Sequence, residues 1–452
     1  MPSTFKIDRG ARHLITFLEA RNHNAYVVGG CVRDFLMGKE PHDWDICTSA
    51  TPDVVCELMD YLDISVYKTG IQHGTVTVRW WGESYEITTF RTDGEYSDNR
   101  RPDSVTFVND VNEDLSRRDF TINAMAYNDY EGLIDPWGGE ADLNDKLIRC
   151  VGNPDDRFGE DALRIMRALR FASTYGFKIE EGTAAAIHRN KDLLKNIAAE
   201  RIQSELCKML CGEGVLDILL EYSDVMAVII PELKPCVGFE QTNPYHKYDV
   251  YSHIAHAVAN YKGSDISIKM ALLLHDVGKP ECYTEDEAGG HFRGHSVPGA
   301  RITKEVVERL KFDNKTKAEI VDLVLHHDSI IDPIPRTVRR WLYKIGPELL
   351  DKLIFVRIAD IYAQSGKGLE DRRDRILGVK LIAKQILREN QCFTVKNLAV
   401  TGYDIMNHCG IESGPNVGRV LNWLLGRVID GSIENKVDEL IQEAKRYLTT
   451  IL

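Results

Sequence analysis

The period of the hydrophobic pattern changes once along this chain, near Pro154. Before it, short apolar or alternating runs recur at YVVGG (residues 26–30), WDIC (44–47), GTVTVRWW (74–81), YEITTF (85–90) and SVTFV (104–108). These read as strands bounded by turn residues, with helices expected over 11–22 and 32–37. After it, EDALRIMRALRFAS and ERIQSELCKML repeat at helical spacing, and that period persists to residue 452. The expected architecture is an α/β head followed by an elongated all-helical body. A chain of 452 residues exceeds what one core usually supports. The three prolines in PELKPCVGFEQTNPYH (231–246) place a boundary there. The expected division is a head over 1–145, a helical neck over 146–235, a helical domain over 236–370 and a helical tail over 371–452.

Composition narrows the function. Hydrophobic residues make up 43% and charged residues 28%, which is ordinary globular usage. The first twenty residues carry charges where a signal peptide needs an apolar stretch, and no run reaches membrane-spanning length. A cytoplasmic protein with no membrane partner is expected. Its 10 cysteines are scattered, and Cys207 with Cys211 lacks the second pair of a zinc ribbon, so reduced thiols are expected. A net charge of −13 excludes gripping nucleic acid by bulk electrostatics. RNA contact would fall to local patches at Arg100 and Arg101, Arg117 and Arg118, 336–344 and 367–375.

Asp43 and Asp45 stand one residue apart on a predicted strand, so both carboxylates point to one face, where hard Mg2+ can share their oxygens. Acidic pairs are common on solvated faces, but this one has a distinctive setting. Upstream, Gly29 and Gly30 end a strand and open a helix bearing Arg33, an arrangement able to hold phosphate. A tight strand-to-helix turn is the plainer reading. Together these features suit in-line phosphoryl transfer from a triphosphate, with two ions activating a 3′ hydroxyl and stabilising pyrophosphate. Glu86 is a candidate third carboxylate, or else a cross-strand partner for a surface arginine.

YVVGGCVRDFLMGKEPHDWDI (26–46) resembles the signature of the tRNA nucleotidyltransferase and poly(A) polymerase family, within the DNA polymerase beta superfamily. LSRRDFTINAMAYN (115–128) resembles its second motif, which implies that Arg118 contacts the nucleotide and Asp119 supports the sugar-binding region. On residue chemistry alone, Arg117 and Arg118 are an exposed basic pair. LIDPWGGEADL (133–143) resembles the third motif. EDALRIMRALRFASTYGF (160–177) is similar to the base-recognition helix, with Asp161, Arg164, Arg167 and Arg170 expected in a row on one face, toward the head. A solvated salt-bridge face is the alternative. AERIQSELCKML (199–210) resembles the neck segment that follows. ITTFRTDGEYSDNRRPDSV (87–105) resembles the flexible loop of members that add the terminal A, and 396–424 extends the likeness weakly.

The resemblance implies template-independent addition of CMP from CTP and AMP from ATP to the 3′ end of tRNA with Mg2+, and no DNA partner. A poly(A) polymerase or an A-only enzyme would share the chemistry. The body carries a second pattern: His253, His275 with Asp276 in LLLHDVGKP, His295, His326, His327 and Asp328 in LHHD, and Asp360. Adjacent His and Asp resemble the HD phosphohydrolase signature. Carried over, His253, His275, Asp276 and Asp360 would bind a second divalent metal. The alternatives are histidines that merely cap or pack helices, or an HD phosphohydrolase whose head only binds RNA.

Overall fold

The computed structural model describes residues 5–94, 104–242, 247–287, 289–364, 368–389, 391 and 393–451. Residues 95–103 of the loop expected over 87–105, including Arg100 and Arg101, lie outside the described residues, as do Lys367 and residues 243–246 of the proline-rich segment. Two compact units result, one of residues 1–234 with 309–311 and one of 235–308 with 312–452.

In the first unit the head contains α1 (Arg9–Glu19), β1 (Ala25–Val28), α2 (Gly30–Leu36), β2 (Ile46–Thr48), α3 (Pro52–Tyr61), β3 (Ser65–Gly70), β4 (Thr75–Trp80), β5 (Glu83–Thr89), β6 (Arg91–Asp93), β7 (Val105–Phe107), α4 (Val111–Ser116), β8 (Ala126–Asn128), β9 (Gly132–Ile134) and α5 (Gly139–Asp145). Seven strands form one sheet in the order β3-β4-β5-β2-β1-β8-β9, and β6 pairs with β7 as a separate ribbon. Only the β2–β5 pairing in the large sheet is parallel, with Ile46 opposite Ile87. Both isoleucines are buried. Because neighbouring residues on a strand point to opposite faces, residues 45 and 86 must face the open side.

α6 (Pro154–Glu160), α7 (Leu163–Tyr175), α8 (Glu181–Asn190), α9 (Ala199–Leu210), α10 (Val215–Glu221) and α11 (Ser223–Ile229) complete this unit. α7 buries Leu163, Ile165, Met166, Ala168 and Leu169, a wide apolar stripe consistent with a helix packed on several sides.

The second unit is helical: α12 (Val250–Asn260), α13 (Ile266–Leu274), α14 (Ser296–Arg309), α15 (Asn314–His326), α16 (Pro335–Ala363), α17 (Leu369–Arg388), α18 (Gly402–Cys409), α19 (Pro415–Ile429) and α20 (Val437–Ile451). α16 is broken where Gly346 takes φ 81° ahead of Pro347. α13 is apolar throughout, with Met270, Ala271, Leu272, Leu273 and Leu274 all buried. Such a helix belongs at the centre of a bundle, and it packs against α12, α15 and α16. α18, α19 and α20 share a separate core around Leu424, Leu425 and Leu440.

Candidate active site

In the head, β2 begins at Ile46, so Asp43 and Asp45 lie on the approach to the strand rather than within it. The ladder still fixes Asp45, whose carbonyl accepts the Val28 N–H at 3.0 Å. Glu86 sits in β5 beside it, one residue before the Ile46–Ile87 pair. All three carboxylates are exposed, and among the described residues none forms an ion pair. The reading of Glu86 as an arginine's cross-strand partner therefore does not hold; its partner across β4 is Thr77. Desolvation in this cleft lifts the Asp45 carboxyl above its usual range, Glu86 and Asp43 repel the same charge, and Arg118 opposes them. Oxygen-only, unneutralised and mutually repelling, the set suits a hard divalent cation.

Gly29 has φ 77°, a conformation that favours glycine, and Arg118 Nη1 lies 2.9 Å from where a Cβ would stand. Arg33 is buried in α2 and donates from Nη1 to Asn123 Oδ1 at 2.5 Å and from Nε to Asp34 at 2.9 Å. Asn123 in turn donates to Asp119 Oδ1 at 3.0 Å. Asp119 Oδ2 accepts from Arg167 Nε and Nη2 at 2.8 and 2.6 Å. Burial alone would raise the Asp119 carboxyl, but Arg167 and Asn123 outweigh it and hold it at about 2. One continuous relay thus runs from the glycine turn to α7, and Asp119 is its clamp.

The pair Arg117 and Arg118 is not the exposed patch that its chemistry suggests. Both are largely covered and tied to the fully buried Asp114, Arg117 at 2.7 Å and Arg118 at 3.2 Å. Asp114 was not singled out from sequence, although the spacings of three and four residues in EDLSRR are those of side chains sharing a helical face. Arg118 Nε is buried with no hydrogen-bond partner, a donor held in reserve beside Asp45.

The single helix expected over 160–177 is two. α6 ends at Glu160, and Asp161 is extended, with φ −130° and ψ 102°. Its carboxylate accepts the Leu163 N–H at 3.0 Å and so closes the first turn of α7. Asp161 Oδ2 lies 3.2 Å from Arg201 Nη2. The arginines do not form a row facing outward. Arg164 is buried and donates to Glu160 at 2.5 Å and to the Arg117 carbonyl at 2.9 Å; Arg167 holds Asp119; Arg170 pairs with Glu205 of α9. Nor are they a solvated face, since each binds a different layer of the unit. Arg157 and Arg201, also missed from sequence, flank this region, and each has one buried guanidinium nitrogen without a hydrogen bond.

In the second unit the four expected body residues converge, joined by two more. His253 Nε2 lies 2.9 Å from Asp360 Oδ1 and 3.3 Å from His275 Nε2. His295 Nε2 lies 3.1 Å from Asp276 Oδ1 and 3.0 Å from His327 Nε2. His326, one residue earlier, turns away and meets the Trp341 ring edge-on. Gly278 explains how two loops meet here: a Cβ on it would lie 2.4 Å from the His295 carbonyl oxygen and 2.6 Å from the Gly299 nitrogen.

An α/β sheet presenting three unneutralised carboxylates beside a glycine turn defines a metal-dependent nucleotidyltransferase. Residues 25–149 match the poly A polymerase head domain, 176–237 the "Probable RNA and SrmB-binding site of polymerase A", and 300–444 tRNA nucleotidyltransferase domain 2. The CCA-adding enzyme of Limosilactobacillus reuteri is 32% identical, over 96% of both chains. That of Ligilactobacillus salivarius is 34% identical, over 99% of this chain and 98% of its own. The crystal structure of the Bacillus stearothermophilus CCA-adding enzyme in complex with CTP superposes with a TM-score of 0.72 at 29% identity, covering 97% of each chain. The chain belongs to the CCA-adding enzyme family.

Proposed function

We infer that this protein completes tRNA by adding C, C and A to its 3′ end from CTP and ATP, without a nucleic-acid template. The observation that carries this reading is the unpaired trio of Asp43, Asp45 and Glu86 on the open face of the sheet. Asp43 and Asp45 would hold Mg2+, with Glu86 beside them; bound there, Mg2+ supplies charge for activating the 3′ hydroxyl and for the departing pyrophosphate. Arg118 has a spare buried donor for phosphate oxygens near the same carboxylates. Gly29 and Gly30 leave the backbone open to approach, and Arg33, through Asn123 and Asp119, holds that turn in register with α7.

Base choice falls to Asp161 and Arg164. A carboxylate accepts and a guanidinium donates. Cytosine and adenine present an exocyclic amine beside a ring acceptor and satisfy both, whereas uracil and guanine present the reverse. By its likeness to the CCA-adding enzymes we place this activity in the cytoplasm; among the described residues no helix is long and apolar enough to cross a membrane.

Transcripts ending before CCA, after C and after CC, each incubated with single NTPs and then sequenced, test the reading. Ordered C, C, A addition that stops is expected. A homopolymer A tail would instead identify a poly(A) polymerase, addition only to the CC end an A-only enzyme, and no addition an HD phosphohydrolase with an RNA-binding head.

A further inference from the structure

In the head, a cavity of about 760 Å³ lies between the start of α1 and the connection from α2 to β2, lined among others by Lys6, Arg9, Phe35, Lys39, Glu40 and Trp44. Its size falls within the range of about 300–1,000 Å³ that small-molecule sites span. Trp44 stands between Asp43 and Asp45 in the chain, yet neither of those two residues lines the cavity. The cavity is therefore separate from the carboxylate trio, although the segment that carries Asp43 and Asp45 forms part of its wall.

The charge of this wall runs against that of the chain, whose net charge is −13. Among the described residues Lys6, Arg9 and Lys39 form no ion pair; Arg9 lies over the Trp81 ring at 4.9 Å and Lys39 over the Tyr175 ring at 4.8 Å. Two carboxylates share the wall with them. Asp8 caps α1, accepting from the Gly10 N–H at 2.8 Å and the Tyr85 hydroxyl at 2.6 Å, so Glu40 is left to oppose the three cations. A concave surface with such a surplus focuses a positive field and favours an anion.

The wall is also aromatic. Phe35 is held against Phe5 with ring centroids 4.0 Å apart, whereas Trp44, partly buried, has no ring partner among the described residues. Residues 40–44 form no hydrogen bond among the described residues, which leaves the Trp44 indole N–H free. The last anchor before them is the Lys39 N–H, which donates to the Asp34 carbonyl at 2.9 Å; the first after them is the Asp45 carbonyl, which accepts the Val28 N–H at 3.0 Å. Packing, including that of Trp44 on the cavity wall, is left to place Asp43. We propose that this cavity is a second nucleotide site, holding a nucleoside phosphate with its base on Trp44 and its phosphates on Lys6, Arg9 and Lys39, and that occupation steadies the segment bearing Asp43. Cations alone would suit any small anion; the unpartnered indole beside them selects one that carries a flat ring.

The test counts ADP, which carries base and phosphates. Equilibrium dialysis of labelled ADP compares the full chain with a variant carrying Lys6→Ala, Arg9→Ala and Lys39→Ala. All three side chains are exposed, and circular dichroism certifies the variant's fold. The parent should bind one ADP per chain more than the variant. That difference should persist in EDTA, since lysine and arginine rather than Mg2+ hold the phosphates, and should weaken with added salt. Trp44→Phe should remove fluorescence quenching by the extra ADP, and amide exchange at residues 42–45 should slow on ADP addition in the parent but not in the triple variant. Equal ADP counts would overturn the site, and a difference lost in EDTA would assign the extra ADP to the carboxylates. Pyrophosphate bound there as tightly as ADP, or quenching that survives Trp44→Phe, would overturn the stacked base. Exchange that does not slow would overturn the support of Asp43. A variant that keeps the ADP count but binds tRNA about 10-fold more weakly would make this surface an RNA contact instead. The count is independent of which nucleotides the head adds.

Discussion

The head and the body each gather carboxylates, but under opposite conditions. In the head, Asp43, Asp45 and Glu86 are exposed and unpaired, and the nearby arginines are committed to Asp114 and Asp119. In the body, Asp276 is buried against imidazoles and Lys279, and Asp360 against imidazoles. An open set of hard oxygens binds weakly and completes its coordination with the substrate's own phosphates. A buried set mixing nitrogen and oxygen is the donor chemistry that suits transition metals rather than Mg2+. The difference teaches that burial and counter-charge, more than residue type, set how a carboxylate is held in each unit.

The largest expected effect would break this comparison at the head. Asp43→Ala or Asp45→Ala removes charge stabilisation of several kcal/mol, so single-turnover addition of both C and A should fall by about 10³-fold or more. RNA binding, read by gel shift, should survive. Near-normal rates with either variant would remove the carboxylates from catalysis.

How far the sequence alone leads depends on whether a feature is local. The strand at residues 26–30, the glycine turn and the acidic pair are visible because turn chemistry and alternation act over a few residues. The relay from Arg33 through Asn123 and Asp119 to Arg167 was hidden, because its outer links join residues 90 and 48 positions apart. The break at Asp161 escaped for a different reason. Apolar spacing through EDALRIMRALRFAS continues unbroken while the carboxylate closes on the Leu163 N–H, so a side-chain bond ended the helix against its own period. β3, β8 and β9 were missed as short or weakly alternating runs. In the body, adjacent His and Asp drew attention to the right turns, but only packing could tell which other histidines join them.

A second, smaller break tests whether Asp119 acts as clamp rather than ligand. Asp119→Asn removes the carboxylate paired with Arg167, and loss of one partner of this partly buried pair should cost about 1–3 kcal/mol in denaturant unfolding. The acid limb should change too. The folded carboxyl titrates at about 2, below its unfolded value, so its contribution is full above the unfolded pKa and is lost as pH falls from about 4 toward 2. The Asn variant should lack that component. Unchanged stability with an unchanged acid limb would mean that the clamp carries no load.

Smaller again is the effect on selectivity. Asp161→Ala should lower use of CTP and ATP and narrow their advantage over UTP, by the roughly 1–3 kcal/mol that one well-formed base contact discriminates. Steady-state rates with all four NTPs measure it. Because Asp161 also closes α7, circular dichroism should accompany the assay. Lost selectivity with intact helix content would separate base reading from capping, and unchanged selectivity would count against the protein as template.

The smallest expected effect sharpens the comparison inside the body. His326 and His327 are neighbours with the same chemistry, yet one is directed at Asp276 and the other at the edge of Trp341, with ring centroids 5.3 Å apart. An edge-to-face contact contributes about 0.5–1.5 kcal/mol beyond burial, and His326 is only partly covered. His326→Ala should therefore lower the melting temperature slightly. His327→Ala should lower it further, since it empties a buried position. If the two variants melt alike, the two histidines act through helix packing alone, and the distinction drawn from their directions fails.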